Sequence, residues 1–276
     1  MDVKRIYINK DINDNEYLNS DIEEVIISHN VKKIGNRAFA FARKLKKITF
    51  KCEEIELGYE CFIGCKNLKT IKLPKMSYIP YRCFFNSGLV DVKFPNNLIG
   101  VDSEAFCGCK LKVLNFPNSL KTIGSFAFAN GGNLITIDFK NVEFLADHSF
   151  YYTEINHLKI GGIIEVIPYM CFANCDLKYV EILKTVDRGI TYEYKRNIIN
   201  LDRYSFANNP YMTIKLPESV NGYEETFWIN DNPYFKVYIK EPYKNMKILL
   251  PNDYLKFLGG SEVIYYARKN IKIEGY

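Results

Sequence analysis

The residues of this sequence that could do chemistry are its eight cysteines and three histidines. His148 stands between Asp147 and Ser149, the three residue types of a hydrolase triad. Triad groups must converge in space rather than follow one another along the chain, so this run does not predict an active site. The sequence contains neither a P-loop nor a dinucleotide-binding fingerprint. We therefore predict that the chain is not an enzyme and that it has no catalytic residue and no cofactor.

Six of the cysteines occupy two fixed positions relative to a phenylalanine. Cys61, Cys83 and Cys171 directly precede one, and Cys65, Cys109 and Cys175 follow one by three residues. Regular placement predicts small, reduced thiols packed in a core. A Cys61–Cys83 disulfide is the alternative, because neighbouring turns of a stacked repeat lie roughly 5 Å apart. Zinc is disfavoured, since the sequence has no CxxC pair, and we predict no metal site.

The phenylalanines that fix this register recur along most of the chain. Five of the eight gaps between them are 22 residues, and a period near 22 lies in the leucine-rich-repeat range. The first gap is 23 residues, the last is 21, and the gap from Phe172 to Phe206, which contains the insertion, is 34. The recurring residues are Phe39, Phe62, Phe84, Phe106, Phe128, Phe150, Phe172, Phe206 and Phe227.

Each repeat carries the pattern of a short strand. Five or six residues after the phenylalanine an apolar residue begins an alternating run, as in Leu45-x-x-Ile48-x-Phe50 and Leu111-x-x-Leu114-x-Phe116. Alternation over a short run predicts a strand with one buried face, and one such strand per repeat predicts a parallel ladder. Prolines such as Pro74 and Pro117 follow directly, where pairing would stop.

The residues around each phenylalanine predict a short helical or 3-10 turn. An apolar residue followed by glycine or proline lies about six residues before it, as in Ile79-Pro80, where proline suits a first helical position. Two residues after it, glycine or asparagine recurs and predicts a left-handed conformation that ends the turn. Those residues are Gly64, Asn86, Gly108, Asn130, Asn174 and Asn208.

The combined pattern Ile-Gly-x-x-Ala-Phe-x-x-Cys/Gly-x-x-Leu-x-x-Ile-x-Phe-Pro resembles the BspA-like subclass of leucine-rich repeats over about residues 22–240. The fold class expected is a leucine-rich-repeat solenoid of about nine repeats, with a mostly parallel β ladder and short helical or 3-10 turns. The resemblance implies a non-enzymatic binding or adhesion protein. Stacking would join the phenylalanines into one core that no single repeat can bury alone.

We predict one elongated domain with a cap at each end. Residues 1–21 lack the repeat and are interpreted as an N-terminal cap, residues 22–239 as the solenoid with its first strand at 22–27, and residues 240–276 as a C-terminal cap. An insertion at about 183–200 is either a binding excursion or a tolerated surface loop. Asp11, Asn13 and Asp14 form an acidic cluster that lacks the spacing of a calcium loop and predicts a turn.

Charge and segment composition restrict the partners and the compartment. The net charge of +5 is too weak to indicate nucleic-acid binding, which would require clustered basic residues. The sequence shows no signal segment and no stretch long enough to cross a membrane, which predicts a cytoplasmic location. The family resemblance instead implies a surface or secreted protein. We expect a monomer.

The outward residues of the predicted strands are the candidate binding site. They form a mixed face with an excess of lysine, typical either of a repeat protein's binding surface or of a solvated strand face. The function predicted is a scaffold for an unidentified protein partner; a cell-surface adhesin and a weak polyanion binder using Lys72, Lys93, Lys159 and Lys215 are alternatives. Candidate residues are Lys72, Lys93, Asp138, His157, Lys159, Tyr179, Glu181, Tyr192, Tyr194, Lys215, Lys236 and Tyr238.

Overall fold

The computed structural model describes residues 4–132, 134, 136–161, 163–183, 199–209, 212–216, 220–222, 236–239 and 272–275. By internal packing the chain forms two compact units, residues 1–134 and residues 135–276. The strands of the first unit are β1 (Arg5–Ile8), β2 (Glu24–Ile27), β3 (Lys33–Ile34), β4 (Lys47–Phe50), β5 (Glu56–Leu57), β6 (Thr70–Lys72), β7 (Tyr78–Ile79), β8 (Asp91–Lys93), β9 (Gly100–Val101) and β10 (Thr122–Ile123).

The second unit continues the same alternation of longer and two- or three-residue strands. Its strands are β11 (Thr136–Asp138), β12 (Phe144–Leu145), β13 (His157–Ile160), β14 (Val166–Ile167), β15 (Tyr179–Ile182), β16 (Ile199–Leu201), β17 (Thr213–Leu216), β18 (Val220–Gly222), β19 (Lys236–Ile239) and β20 (Lys272–Gly275).

The predicted parallel ladder is confirmed in both units. In the first unit β2 pairs in parallel with β1 and β4, and β6 pairs with β8. In the second unit β11, β13, β15, β17, β19 and β20 pair in that order, each in parallel with the next. One predicted strand is wrong: residues 113–115 form no strand, and only Leu114 takes part in an isolated bridge.

A second parallel ladder, which the sequence analysis did not predict, runs through each unit. It contains β3 and β5, then β7, β9 and β10, in the first unit, and β14, β16 and β18 in the second. The apolar residues interpreted as leading into a helical turn, such as Ile79 and Ile123, lie instead on these strands and are fully buried. Most of the described repeats therefore contribute two short strands to the stack.

The predicted helical or 3-10 turns are wrong for the described residues, which contain neither helix type. The amides of Arg37, Phe39 and Phe41 donate to the carbonyls of Tyr59, Cys61 and Ile63 in the next repeat, over 2.9, 2.9 and 2.7 Å. Only the intervening amides bond locally, so every second donor is satisfied across the stack rather than along a helix. The segment is a third line of contact between repeats.

Left-handed backbone makes this alternation possible. The glycine or asparagine position two residues after each phenylalanine has positive φ, as predicted, from 52° at Asn86 to 74° at Gly108. A second positive-φ position, two residues before the phenylalanine, was not predicted because it holds ordinary side chains such as Glu60, Met170 and Tyr204. Hydrogen bonds from the amides of Glu60 and Met170 to the next repeat hold those residues in a conformation that they rarely adopt.

The phenylalanines stack face to face through the core of each unit. Neighbouring ring centroids are separated by 5.1–5.5 Å from Phe39 to Phe128 in the first unit. In the second unit Phe150 stacks on Phe172 at 5.5 Å, and Phe172 on Phe206 at 5.6 Å. Phe172 and Phe206 are consecutive in the stack although 34 residues separate them, which supports an insertion between them. The insertion itself, residues 184–198, lies outside the described residues, as does most of the C-terminal segment after residue 239.

Residues 4–21 have the conformation of a repeat. β1 pairs with β2, Ile12 forms a parallel bridge with Ile34, and Tyr17 stacks on Phe39 at 5.1 Å with the rings 8° apart. Tyr17 lies 22 residues before Phe39 and takes the place of the recurring phenylalanine. The structure thus extends the repeat into the segment interpreted as lacking it, while a capping role for that segment stays a prediction.

The acidic cluster of this first turn is structural, as predicted. Asp11 accepts hydrogen bonds from the amides of Lys32 and Lys33 at 2.6 and 3.0 Å, and Asp14 accepts one from the amide of Asn36 at 2.7 Å. Both carboxylates therefore fasten the first turn to the second. Among the described residues, no group of three His, Cys, Asp or Glu side chains could hold a metal ion.

All eight cysteines are buried, as predicted for the six at fixed repeat positions, and all eight are free thiols in the structure. The Cys61 and Cys83 sulfurs lie 3.6 Å apart and share a hydrogen bond. Cys109 bonds with Ser87 at 3.2 Å, and Cys171 with Ser149 at 3.1 Å, in the same side-by-side arrangement between neighbouring repeats. Small polar side chains therefore pair within the core along the stack.

Burial of these thiols makes the fold sensitive to alkali. Burial raises the pKa of Cys65 and of Cys109 to about 12, so their thiolates form more readily in the unfolded chain. The stability that they contribute is present below the unfolded pKa, near 9, and is lost as the pH rises toward 12. Between about pH 8 and pH 10, the C65A/C109A variant should lose about 3 kcal/mol less stability than wild type. Urea titrations at the two pH values measure this; equal losses would contradict it.

Candidate interaction face

The longer strands of each unit present one row of side chains to the core and two rows to solvent. On β6, Ile71 is buried while Thr70 and Lys72 are exposed, and on β8 the same holds for Val92 between Asp91 and Lys93. We call the outward side of these longer strands the ladder face. In the first unit it comprises Arg5, Tyr7, Glu24, Ile26, Lys47, Thr49, Thr70, Lys72, Asp91 and Lys93.

Register brings two of the predicted site residues in the first unit side by side. Lys72 and Lys93 are Cα partners on the neighbouring strands β6 and β8, so two cations share one position of the face. At the other end of the same unit, Arg5 and Glu24 are Cα partners and form an ion pair at 2.6 Å. Tyr7, Ile26 and Thr49 are the row beside them, and Tyr7 is 63% exposed.

The ladder face of the second unit alternates in charge along one row. Asp138, Lys159 and Glu181 are successive Cα partners, and the Lys159 ammonium lies 3.4 Å from the Glu181 carboxylate. The other row carries His157 beside Tyr179. Burial and the neighbouring Glu181 carboxylate raise the pKa of Tyr179, which favours the neutral phenol as a hydrogen-bond donor.

The remaining predicted site residues are described in part or not at all. Lys215 is the Cα partner of Glu181, and Tyr238 that of Lys215, so the backbone register continues this row. Lys236 is the Cα partner of Thr213 in the other row. The side chains of these three residues are outside the described part of the chain, and so are Tyr192 and Tyr194. Lys72 and Lys93 belong to the first unit, whereas Lys159 and Lys215 belong to the second.

An ion-pair row on the turns of the first unit was missed by the sequence analysis. It occupies the unpredicted positive-φ position, where Glu60 lies 3.6 Å from Arg37 and 2.9 Å from Arg82. Arg82 also pairs with Glu104 at 3.4 Å and lies over the Phe85 ring at 4.2 Å. The signal was present as an Arg, Glu, Arg, Glu series, each two residues before a recurring phenylalanine.

In the second unit this position holds His148, Met170 and Tyr204, and aromatic rings pack around it. His148 contacts Tyr151 at 5.5 Å and Tyr169 at 5.2 Å between ring centroids, and Tyr169 contacts Tyr204 at 5.8 Å, all edge to face. Burial lowers the pKa of His148, and the Asp147 charge opposes that shift only in part. The neighbouring Ser149 is fully buried and bonds with Cys171. His148 and Ser149 therefore contribute to the packing of the turn, whereas Asp147 is exposed.

Stacked parallel strands on a 22-residue period, with one apolar row directed inward, define a leucine-rich-repeat protein. The chain belongs to the BspA-type leucine-rich-repeat family. The family model matches six repeat copies over residues 10–86 and 77–194, which together exceed half of the chain. No curated protein sequence matches the chain.

Solved structures of bacterial leucine-rich-repeat proteins are similar to this chain. One from Bacteroides ovatus is 21% identical, with 97% of this chain and 69% of that chain covered and a TM-score of 0.66. One from Eubacterium ventriosum is 17% identical over 86% and 74% of the two chains, with a TM-score of 0.44. A leucine-rich cell surface protein from Faecalibacterium prausnitzii is 16% identical over 85% and 87%, with a TM-score of 0.38. The likeness to the Bacteroides protein concerns the fold.

No helix long and apolar enough to cross a membrane occurs among the described residues.

Proposed function

We propose that this protein is a non-enzymatic scaffold that binds a protein partner through the ladder face. The observation that carries the proposal is the register of the parallel strands. This register places outward side chains such as Thr70, Lys72 and Tyr179 in straight rows within their own units. Their neighbours along each strand are buried in the core. Rows fixed by backbone pairing lose little conformational freedom on binding, which favours recognition of a partner by several repeats together.

The second unit offers the composition expected at the centre of a protein interface. Tyr179 is half-buried, lies beside His157 and is bordered by the Lys159–Glu181 ion pair. A tyrosine held among charged neighbours can bury its ring against a partner while its hydroxyl donates a hydrogen bond. The insertion at 183–200 follows this strand directly in sequence and is a second candidate contact.

A cytoplasmic location and a monomeric state stay predictions. A surface adhesin that binds host or matrix components is the alternative function, and membership in the BspA-type family is compatible with it. Localisation of the protein in intact and permeabilised cells of the source organism separates the two. Labelling without permeabilisation favours the adhesin, and labelling that requires permeabilisation favours the scaffold.

Affinity capture with paired variants tests the use of the ladder face. The H157S/Y179S variant alters the face, and the H29S/Y59S variant changes the same two residue types at exposed positions away from it. We expect wild type and H29S/Y59S to retain the same protein from a lysate of the source organism, and H157S/Y179S to retain at least about ten-fold less, the effect of losing one interface hot spot. Equal retention by both variants would contradict the proposal.

A further inference from the structure

Eight cations of the first unit form a surface that the rest of the fold does not neutralise. We call it the basic strip; it comprises Arg43, Lys47, Lys66, Lys69, Lys72, Lys93, Lys110 and Lys112. All eight are exposed, and none forms an ion pair with a described residue. Other cations of the same unit are paired, as in Lys33 with Glu56, Lys44 with Asp21 and Lys46 with Glu23.

Backbone contacts place the members of the strip on neighbouring turns. Lys72 and Lys93 are Cα partners across β6 and β8. The Asn67 side chain donates to the Arg43 carbonyl at 2.7 Å, which sets Arg43 one turn before the Lys66–Lys69 segment. The amides of Lys110 and Lys112 donate to the carbonyls of Leu89 and Val90, one turn further on. Successive turns are separated by about 5 Å, so the strip crosses four turns in about 15 Å.

Gly88 lies at the middle of the strip, where its turn packs tightly against the preceding one. A Cβ atom at this position would come within 1.9 Å of the Lys66 carbonyl oxygen, so only glycine fits. The Lys69 ammonium donates to that carbonyl at 2.9 Å and would stand 3.0 Å from the same Cβ. This close approach brings the Lys69 ammonium beside the turn that carries Lys93.

The second unit shows what the same positions look like when they are neutralised. Glu154 and Asp176 occupy the places of Lys66 and Lys110 there, and Asp138, Lys159 and Glu181 alternate in charge where Lys72 and Lys93 repeat it. Like charges on directly opposed strand positions are destabilising. A bound partner that supplies negative charge removes the repulsion between Lys72 and Lys93, and the second unit has no corresponding pair of like charges in Asp138, Lys159 and Glu181.

We infer that the basic strip binds an acidic segment of a protein partner. This inference rests on the proposed function and names the chemistry of the partner. Seven of the eight cations are lysines. A lysine ammonium is a compact charge on a flexible stem, so it can pair with carboxylates without the fixed geometry of a bidentate contact. No aromatic side chain belongs to the strip, so it lacks the stacking platform on which single-stranded nucleic acids depend. Asp91 is the Cα partner of Thr70 and lies on the same strand as Lys93. Its carboxylate repels a uniform polyanion but accepts a hydrogen bond from a peptide that mixes acidic and neutral residues.

Fluorescence anisotropy on the full chain tests the inference. The probe is a labelled peptide of about twelve residues that alternates glutamate and serine, long enough when extended to cross the strip. Wild type should bind it with an affinity that falls as salt is raised, and the peptide with glutamine in place of glutamate should not bind. The K66Q/K72Q/K93Q/K110Q variant should bind about ten-fold more weakly, since each exposed charge pair contributes a little.

A matched variant removes four exposed lysines outside the strip: K4Q/K10Q/K32Q/K75Q. It has the same net charge as the strip variant and should bind the acidic peptide like wild type. Equal weakening in both variants, or no binding of the peptide by wild type, would overturn the inference. Tighter binding of a heparin fragment or of oligothymidylate than of the peptide would also overturn it, because the preferred partner would then not be a protein segment. Capture that still depends on His157 and Tyr179 in any of these cases would leave the proposed function standing.

Discussion

Replacement of Phe84 by alanine should lower the free energy of unfolding by about 3–5 kcal/mol. The Phe84 side chain is fully buried and stacks between Phe62 at 5.4 Å and Phe106 at 5.1 Å. Removing the ring takes away two stacked contacts and leaves a cavity between turns that the backbone bonds on either side prevent from collapsing. Each turn is stabilised only by its neighbours, so the loss weakens the interfaces on both sides.

The matched control is Asp91→Ala on the ladder face of the same unit. Asp91 is exposed, and the change should alter stability by less than about 0.5 kcal/mol. Guanidinium titration followed by circular dichroism compares the two variants. If the two variants unfold at the same guanidinium concentration, Phe84 does not stabilise the packing between turns. The register of the repeat would then be wrong.

Replacement of Asn209 by alanine should cost about 3 kcal/mol, the largest effect expected from a polar residue. Asn209 is fully buried in the second unit. Its Oδ1 accepts from the amides of Cys175 and Leu177 at 3.2 and 2.9 Å, and its Nδ2 lies 2.9 Å from the carbonyl oxygens of both Phe172 and Phe206. The side chain thus joins the turn before the insertion to the turn after it. Alanine would leave buried donors and acceptors on both turns unsatisfied.

The neighbouring Asn208 supplies the control for this prediction. Asn208 has φ of 54°, a conformation that glycine adopts without strain, so Asn208→Gly should change stability by less than about 1 kcal/mol. Thermal unfolding and limited proteolysis of both variants measure the difference. Wild-type stability of the Asn209→Ala variant would show that the insertion is not bridged in this way.

The sequence predicted those features that repeat in side-chain type. Phenylalanine at a fixed spacing identified the stacked core, and glycine or asparagine at Gly64 and Asn86 identified one left-handed position. The second left-handed position was not predicted, because Glu60 and Met170 have no intrinsic preference for positive φ and are held there by hydrogen bonds to the next repeat. The second ladder was not predicted either, because two-residue strands such as β7 are too short to show an alternation of apolar and polar residues.

The candidate site was predictable in position but not in charge balance. Alternation identified Lys72, Lys93 and Lys159 as outward residues. Which of them have an ionic partner depends on register between turns, and only the structure shows that Lys159 pairs with Glu181 whereas Lys72 stands beside Lys93. Repeats that differ by one residue in length shift that register, so the spacing of lysines along the sequence does not give it.

Site-specific photo-crosslinking tests the use of the ladder face most directly. A benzophenone amino acid is placed either at Thr70, exposed on the ladder face, or at Thr122, exposed on the second ladder of the same unit. We expect irradiation in a lysate of the source organism to yield an adduct with one partner protein from position 70 and none from position 122. An adduct from position 122 alone, or equal adducts from both positions, would contradict binding through the ladder face.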